Sequence, residues 1–475
     1  MNTYILIVSI YFLIVILISF FTKKIASGSS ADFLVAGRNL GLITCAIVVA
    51  SEWLGGMSTI GVSEKAFNTA TLQPILYNLS TATGMIIIGF TVARHYREKN
   101  VHTVSEMLES LFDKRVRNIS AIAFLIAYIT LAYVQLQTCA SVITEIFHIE
   151  WWVGIIISAI IITVYTYIGG LHALAITSVV HVLAMFIGIG IAAVIGLNKV
   201  GGFSGLQETL VANGAPQNLY NPFSTSLGYA ISLVIGGVLG GMAGQASIQP
   251  IFAARNPKIA RASAILSAFI IAPFGIMVAF LGLMAKTGKF FDLSTVTNAK
   301  MILPKLLTTP EFIHPVLGGL ALSGILAAIL STVGPVNFAV VTIVAKDIYH
   351  SWINPDADDK KILKTARQLV IIVSIVTIPL AILFNKPILD AAYISYAIRA
   401  IGAIVIMLGI YASGLINKTG VKLAFVGGTI IIFICIIAKK FGWFEIDKTY
   451  GAVGSAVVFI ILGLIIEKIK GRKNE

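Results

Sequence analysis

The chain has 475 residues, of which 57% are hydrophobic and only 12% are charged, and its mean hydropathy is +0.94. Soluble globular domains of this length do not reach such values, so composition predicts a polytopic membrane protein. The formal net charge is +13. Because no basic cluster is interleaved with aromatic residues, nucleic-acid binding is not expected.

The predicted membrane spans follow one another along the whole chain. Hydrophobic stretches of roughly 17–25 residues can cross a bilayer as helices, and we count about thirteen of them. The first is read as a retained span because no cleavage motif follows it. The spans lie near residues 3–21, 41–62, 73–93, 119–144, 151–168, 172–197, 226–249, 262–285, 314–345, 366–384, 388–411, 421–438 and 450–467.

The distribution of Lys and Arg predicts the orientation of the chain. If the N-terminus lies outside, most of the 34 Lys and Arg residues fall in loops on the opposite side. Cytoplasmic loops carry such an excess. We therefore expect a multi-pass protein of the cell membrane with its N-terminus outside and its C-terminus cytoplasmic. The lipid bilayer is an expected partner, and no obligate protein partner is indicated.

Cysteine and nucleotide-binding patterns exclude several classes of protein. Cys45, Cys139 and Cys435 all lie in predicted spans and far apart in sequence, so neither a disulfide framework nor a zinc site is indicated. The sequence contains no GxxxxGK[ST] motif. An ATP-driven pump is therefore disfavoured.

Two glycine-rich stretches interrupt predicted spans. ASEWLGGMST (Ala50–Thr59) lies in the second span, and GGVLGGMAGQ (Gly236–Gln245) lies in the seventh. An opened backbone in a bilayer is tolerated only where protein or a water-filled cavity satisfies its polar groups. Interruptions at corresponding positions of two halves are typical of transporters built from inverted repeats. The alternative is that the glycines only allow close helix packing.

Five stretches, taken in order, resemble the sodium:solute symporter family, which includes sugar, proline, monocarboxylate and sialic acid carriers. They are DFLVAGRNLG (Asp32–Gly41), NVHTVSEMLESLF (Asn100–Phe112), YTYIGGLHALAITS (Tyr165–Ser178), GQASIQPIFAARNPKIARA (Gly244–Ala262) and LSGILAAILST (Leu322–Thr332). The resemblance implies an all-α membrane protein whose spans two to eleven form two inverted five-helix repeats with discontinuous helices.

The same resemblance implies how the single transmembrane domain, residues 1–475, is divided. An extra helix and loop (1–40) precede the first repeat (41–200). The second repeat (220–415) is followed by two C-terminal helices (416–475).

A sodium site is implied by the resemblance. Family members present two neighbouring hydroxyls and a carbonyl of the ninth span to two carbonyls at the break of the second span. These positions fall on Ser331, Thr332 and Ala328, and on Ser51 and Leu54. All are oxygen ligands, which a hard cation such as Na⁺ prefers. The alternative is that the two hydroxyls bond only to carbonyls one turn earlier in their own helix.

The sixth span departs from the family pattern. Ser178 stands where many members carry an aspartate that has been tied to a second cation site or to coupling, and His181 stands where glutamine is common. We therefore expect one cation per transport cycle and no second site.

Two charged residues lie inside predicted spans at similar depth. Glu52 lies about eleven residues into its helix, near the middle of the bilayer. Arg399 is the only basic residue near the middle of a predicted span, since Arg367 and Lys422 lie at span ends. Because intramembrane charges are costly, both are candidates for function. They could form a gate pair, bind opposite ends of a solute, or be stabilised separately by backbone and water.

Further solute-site candidates come from family positions that contact solute in sugar carriers. The aromatic gate positions of the seventh span fall here on glycines, so a sugar-carrier pocket is in doubt and aromatic residues of other spans are expected to replace them. The complete set of candidates is Glu52, Trp53, Ser58, Asn78, Thr81, Gly241, Gln245, Tyr393, Tyr396 and Arg399.

The expected function is sodium-coupled secondary active symport, by alternating access, of a small polar organic solute. The intramembrane charges favour an amino-acid-like solute or a carboxylate. The alternatives are a sugar or vitamin symporter of the same family, a sensor with the transporter fold, or a passive channel. No arrangement of nucleophile and base is evident among the intramembrane polar groups, so an enzyme is not expected.

Overall fold

The computed structural model describes residues 3–22, 38–224, 226–384 and 386–472, without the side chains of 19–22, 165, 168–175, 471 and 472. The N-terminal half contains helices α1 (Thr3–Thr22), α2 (Leu42–Trp53), α3 (Val62–Thr69), α4 (Ile75–Phe90), α5 (Ala93–Glu98), α6 (Val104–Leu111), α7 (Lys114–Phe147), α8 (Trp151–Lys199) and α9 (Gly202–Ala212).

The C-terminal half contains α10 (Leu227–Met242), α11 (Gln245–Phe252), α12 (Pro257–Lys286), α13 (Ile302–Thr308), α14 (Pro315–Thr342), α15 (Asp359–Leu383), α16 (Ile388–Tyr411), α17 (Lys418–Phe441) and α18 (Lys448–Arg472). Two π-helical segments, Met57–Gly61 and Ile343–Ile353, continue the helices next to them.

Within the described residues, nine helices are long and apolar enough to cross a membrane. One further span is bent, and three apolar helices are shorter. The prediction of an all-helical, multi-pass membrane protein is confirmed, whereas the number thirteen stays a prediction. One predicted boundary differs. The spans near 151–168 and 172–197 lie in the single helix α8, so the backbone is helical where a loop was expected.

The predicted interruption of the second span is present, and its two glycines are required sterically. Helix α2 ends at Trp53, and the chain bends by 53° before Met57–Thr69. A Cβ atom on Gly55 would overlap the side chain of Thr332, and one on Gly56 would overlap Thr138. The break therefore lies where side chains of α7 and α14 pack directly against the backbone of the second span.

In the seventh span the interruption lies at the end of the predicted glycine-rich stretch. Helix α10 continues to Met242 and α11 begins at Gln245. The earlier glycines stay helical and make room for neighbours, since a Cβ on Gly237 would overlap Ser80 and one on Gly240 would come within 2.9 Å of Tyr396. Close packing and a backbone break thus occupy successive parts of one stretch.

A buried network of ion pairs around Arg117 connects α6, α7 and the π-helical segment that follows α14. The Arg117 guanidinium contacts Glu109 at 2.7 Å, Glu106 at 3.0 Å and Asp347 at 2.8 Å. Burial raises the pKa of the Glu106 carboxyl, but His102 and Arg117 outweigh burial and lower that pKa to about 2. The network joins α6 and α7 to the π-helical end of α14.

We predict that Arg117→Gln destabilises the protein strongly, because it leaves three carboxylates without their shared cation. Removing one partner of a buried ion pair costs about 3–5 kcal/mol. Thermal unfolding of the detergent-purified protein measures the effect. Arg115→Gln is the matched control, because Arg115 is exposed on the same helix. Equal unfolding temperatures for the two variants would contradict this role.

Candidate ion and solute site

The two hydroxyls predicted to bind sodium lie against the end of α2. Ser331 Oγ donates to Ser51 O and Ala328 O, both at 2.8 Å. Thr332 Oγ1 lies 2.8 Å from Glu52 O and 3.3 Å from both Ser51 O and Ala328 O. The hydroxyls therefore reach carbonyls of their own helix and of α2 at once, and their role as sodium ligands stays a prediction.

One predicted ligand is placed differently from the others. The structure brings Ser51, Ala328, Ser331 and Thr332 together, but the carbonyl that Thr332 contacts most closely belongs to Glu52. Leu54 is the C-cap residue that directly follows the last residue of α2, and it precedes Gly55, the glycine that packs on Thr332. Its ligand role stays a prediction. Sequence reasoning missed Glu52 O because a backbone carbonyl carries no residue-type signal.

The cluster contains only oxygen donors of neutral groups, which fits a hard monovalent cation. In this structure each hydroxyl oxygen lies within hydrogen-bond distance of at least two carbonyl oxygens. A cation among these oxygens would replace the hydroxyl protons as the partner, and the hydroxyls would rotate to present their lone pairs. Ser51 also donates to Ser178 Oγ at 2.9 Å, so the position where an aspartate is common borders this cluster.

Arg399 lies in a box of aromatic rings and not beside a carboxylate. Its guanidinium carbon lies 4.8 Å from the ring centroid of Tyr396 and 5.5 Å from those of Trp53 and Tyr128. Aromatic faces attract a cation through their quadrupoles. Among the described residues, no ion pair within 4.0 Å joins Arg399 to Glu52. The two side chains therefore make no direct ion pair in this structure, and the gate pair stays an alternative.

Several polar atoms around this box are buried and lack a hydrogen-bond partner among the described residues. They are Glu52 Oε2, Trp53 Nε1, Gln135 Nε2, Arg399 Nε and Arg399 Nη2. Buried polar groups are normally satisfied, and each exception needs an explanation. The set combines one anionic acceptor with several donors, so it is chemically suited to a small solute with both kinds of group.

The candidates of the third span lie together but are largely satisfied by the protein. Asn78 Nδ2 donates to Ser58 Oγ at 3.1 Å, and Ser58 donates to Trp53 O at 2.6 Å. Thr81 donates to the carbonyls of Tyr77 and Asn78. Asn78 Oδ1 alone remains without a partner in the described residues. These side chains brace the break of α2 from one side.

Along α16, Tyr393 and Tyr396 lie between Arg399 and Asp390, which lines a cavity of about 520 Å³, here named the vestibule cavity. Tyr77 and Tyr396 stack with a 2.8 Å contact between their hydroxyls, and the Tyr393 ring lies 5.1 Å from that of Tyr396. Tyr396 and Tyr393 pack on Gly240 and Gly236, and Trp53 packs on Gly241. The cavity is lined in part by Lys65, Tyr229, Lys386, Asp390, Ile394, Lys440, Asp447 and Lys448.

Three residues of the region were not identified from the sequence. Tyr77 immediately precedes the candidate Asn78, so its position offered a weak signal. Tyr128 and Gln135 lie in the fourth span, where no family stretch was recognised. Their contribution depends on how α7 packs beside α2 and α16, which a single sequence does not reveal.

Gln245 follows Gly244, which packs on Arg399, but its side-chain amide is directed to α6. Its side-chain oxygen accepts from Val104 N at 2.8 Å, and its nitrogen donates to His102 O at 2.8 Å. Both polar atoms of the amide are thus used to hold the start of α6. The Gln245 side chain therefore has no polar atom left for a solute beside Arg399.

With this geometry in view, comparison with known proteins is informative. Residues 33–430 match the model of the sodium:solute symporter family. The chain belongs to the sodium:solute symporter family. Family membership makes it a multi-pass transporter and not an enzyme. Sodium and a solute are the cargo that the family carries.

Individual relatives of this symporter differ in what their names say they carry. It is 25% identical to an osmoregulated proline transporter of Bacillus subtilis, over 98% of this chain and 94% of the relative. It is 25% identical to the human high affinity choline transporter 1, over 76% of this chain and 65% of the relative. A substrate-bound, outward-open Na⁺-coupled sialic acid symporter shares its fold, with TM-score 0.82, 18% identity and 98% coverage of both chains.

We predict that Ser331→Ala combined with Thr332→Ala lowers sodium affinity by one to two orders of magnitude, about 1.4–2.8 kcal/mol. The reason is the loss of two oxygen ligands from a buried cluster. Binding of radioactive sodium to the purified symporter measures this affinity directly.

The matched control for that double variant is Ser323→Ala with Thr342→Ala. Both control hydroxyls are buried on the same helix and donate only to carbonyls one turn earlier, Gly319 O and Phe338 O. They should leave sodium affinity unchanged. An equal loss in both double variants would show that helix integrity, and not ligation, sets the affinity.

Proposed function

We propose that this symporter couples sodium entry to the import of a small solute that carries a carboxylate, with an amino-acid-like solute favoured. The observation that carries the proposal is the pair of buried ionisable side chains, the carboxyl of Glu52 and the guanidinium of Arg399, with polar atoms that lack a partner among the described residues on both. Intramembrane ionisable groups are costly unless a partner compensates them. A zwitterion supplies an amine to Glu52 and a carboxylate to Arg399.

Sodium is the co-transported cargo in this proposal. Its oxygens come from Ser51, Leu54, Ala328, Ser331 and Thr332. Four of these residues lie within hydrogen-bond distance of one another in the structure. All of their ligand atoms are oxygens, which a hard cation prefers. The fifth, Leu54, is assigned by the family pattern alone. Glu52 O adds a further oxygen close to Thr332.

The aromatic box argues against a quaternary amine as solute, although one relative is a choline transporter. A cation of that type is bound by aromatic faces. Here the guanidinium of Arg399 already occupies the box formed by Trp53, Tyr128 and Tyr396. The site therefore presents a cation to the solute. Proline and sialic acid, named in two of the other relatives, both carry a carboxylate.

Alternating access needs two barriers that open in turn, and the structure holds a candidate for each. Tyr77, Tyr393 and Tyr396 pack together beside Trp53, and in this proposal they form the barrier between the solute region and the vestibule cavity. On the other side the Arg117 network and Gln245 hold α6 against the core. We assign the vestibule cavity to the outer face of the cell membrane and the α6 side to its cytoplasmic face. The excess of Lys and Arg in the loops of the α6 side supports this assignment.

The test of the solute class begins with a thermal-shift screen of the purified symporter, because a ligand of the folded state raises its unfolding temperature. Amino acids, monocarboxylates, sugars, amines and vitamins are each tested with sodium and with potassium. We expect a sodium-dependent shift from an amino acid or another carboxylate. A shift from sugars alone would support the sugar-carrier alternative instead.

We then predict opposite selectivity changes in two variants. Glu52→Gln should weaken solutes that carry an amine, and Arg399→Gln should weaken solutes that carry a carboxylate. Each loss should be at least tenfold, about 1.4 kcal/mol, since one charged contact is removed. Competition against uptake of the identified solute into proteoliposomes measures both. Near wild-type uptake in both variants would rule out the solute site.

The double variant distinguishes solute binding from a direct gate. If the two charges neutralised each other, removing one would leave the other unpaired, and Glu52→Gln with Arg399→Gln would transport better than either single variant. We expect the double variant to be the poorest of the three, because each residue contacts a different end of the solute.

We also predict that one sodium ion enters with each solute molecule. Ser178 replaces the aspartate of other members and contributes only a neutral hydroxyl next to Ser51. A second cation lacks the anionic ligand that would compensate it. The reversal potential of transport currents, measured at varied sodium and solute gradients, gives the ratio. A ratio of two would require a second site built from other residues.

A further inference from the structure

A second cavity lies between α8 and α15, away from the transport region and on the α6 side. Its volume is about 420 Å³. The residues that matter for its chemistry are Tyr167 of α8 and Lys360, Lys364, Arg367, Gln368 and Ile371 of α15. No acidic side chain is among the described residues that line it.

The basic residues of this cavity form one stripe on α15. Lys360, Lys364 and Arg367 are spaced by four and three residues, so they lie on the same helix face. In the described part of the chain, neither Lys360 nor Lys364 has an ion-pair partner within 4.0 Å. Lys360 and Lys364 therefore bring positive charge to a cavity whose described lining has no acidic side chain, which favours an anionic occupant.

The same stripe becomes apolar further along the helix. Ile371 and Ile375 continue it at intervals of four residues, and both are exposed. On α8 the exposed residues Tyr167, Val164 and Ile160 repeat this order, with the phenol at the cavity and apolar side chains beyond it. Two apolar stripes thus lead away from a basic cavity into the region that faces lipid.

We propose that this cavity, here named the α8–α15 cavity, binds the headgroup of an anionic phospholipid. The phosphate lies against Lys360 and Lys364, with Arg367 and the Tyr167 hydroxyl at its edge. The acyl chains lie along the two apolar stripes. Basic cavities between membrane helices on the cytoplasmic side recognise anionic headgroups by this combination of charge and depth. A free phosphate ion would leave the apolar stripes without a role.

Native mass spectrometry of the full chain in detergent tests the proposal with two lipids of identical acyl chains, phosphatidylglycerol and phosphatidylcholine. We expect about tenfold tighter binding of phosphatidylglycerol, because only its headgroup carries net negative charge. This preference should fall as ionic strength rises. Equal binding of the two lipids would overturn the proposal.

Variants locate the lipid on the protein. Lys360→Gln with Lys364→Gln should lower phosphatidylglycerol binding about tenfold and leave phosphatidylcholine binding unchanged. Lys468→Gln with Lys470→Gln is the matched control, because it removes the same charge from exposed positions of α18. An equal loss in the control would show a diffuse charge effect and overturn the site.

A competition experiment distinguishes a bound lipid from a bound soluble anion. Glycerol phosphate or inorganic phosphate, added at the concentration of the lipid, should not displace phosphatidylglycerol, since neither occupies the apolar stripes. Displacement by either would assign the cavity to a soluble phosphate and overturn the lipid proposal. Unfolding temperatures of both double variants in phosphatidylcholine should match the wild type, because the four lysines are exposed.

Discussion

The break in the second span between Trp53 and Met57 is the constraint on which the rest of the structure depends. It exists because two glycines let α7 and α14 approach the backbone where any side chain would overlap Thr138 or Thr332. One consequence is that carbonyls at the end of α2 become available to the hydroxyls of α14. Another is that Glu52 and Trp53, the last residues of α2, face the region beside Arg399. A single local interruption thus builds both halves of the site.

Two buried arginines show how differently the protein treats charge in its interior. Arg117 is surrounded by carboxylates at 2.7–3.0 Å, which suits a contact that holds elements together. Arg399 is surrounded by aromatic faces and keeps two nitrogen atoms unpaired among the described residues. Cation–π contacts stabilise a guanidinium without using its hydrogen-bond donors. The donors of Arg399 therefore remain available to an anionic group, whereas those of Arg117 are already used.

The sequence predicted those features that depend on local chemistry. The helical membrane fold follows from composition and span length. The break of α2 follows from Gly55 and Gly56, whose close packing against Thr332 and Thr138 excludes larger residues. The neighbourhood of Ser331 and Thr332 followed from the family pattern. Features that depend on packing between distant helices could not be predicted in this way. Tyr128 meets Arg399 only because α7 lies beside α16, and Gln245 is directed to the backbone of α6 and not to the solute region.

Neighbouring residues at the end of α2 belong to the candidate sodium site and to the candidate solute site. This gives a physical reason for coupling between the two cargoes. Ser51 and Glu52 offer backbone carbonyls to the hydroxyls of α14, while the side chains of Glu52 and Trp53 face the solute region. A cation that fixes those carbonyls restricts the end of α2 and thereby orients both side chains. A solute that fixes the side chains restricts the same carbonyls. Because coupling free energy between two binding sites is reciprocal, a cation that strengthens solute binding is itself bound more tightly, by the same factor, when the solute is present. In the proposed function, the end of α2 is where this coupling is transmitted.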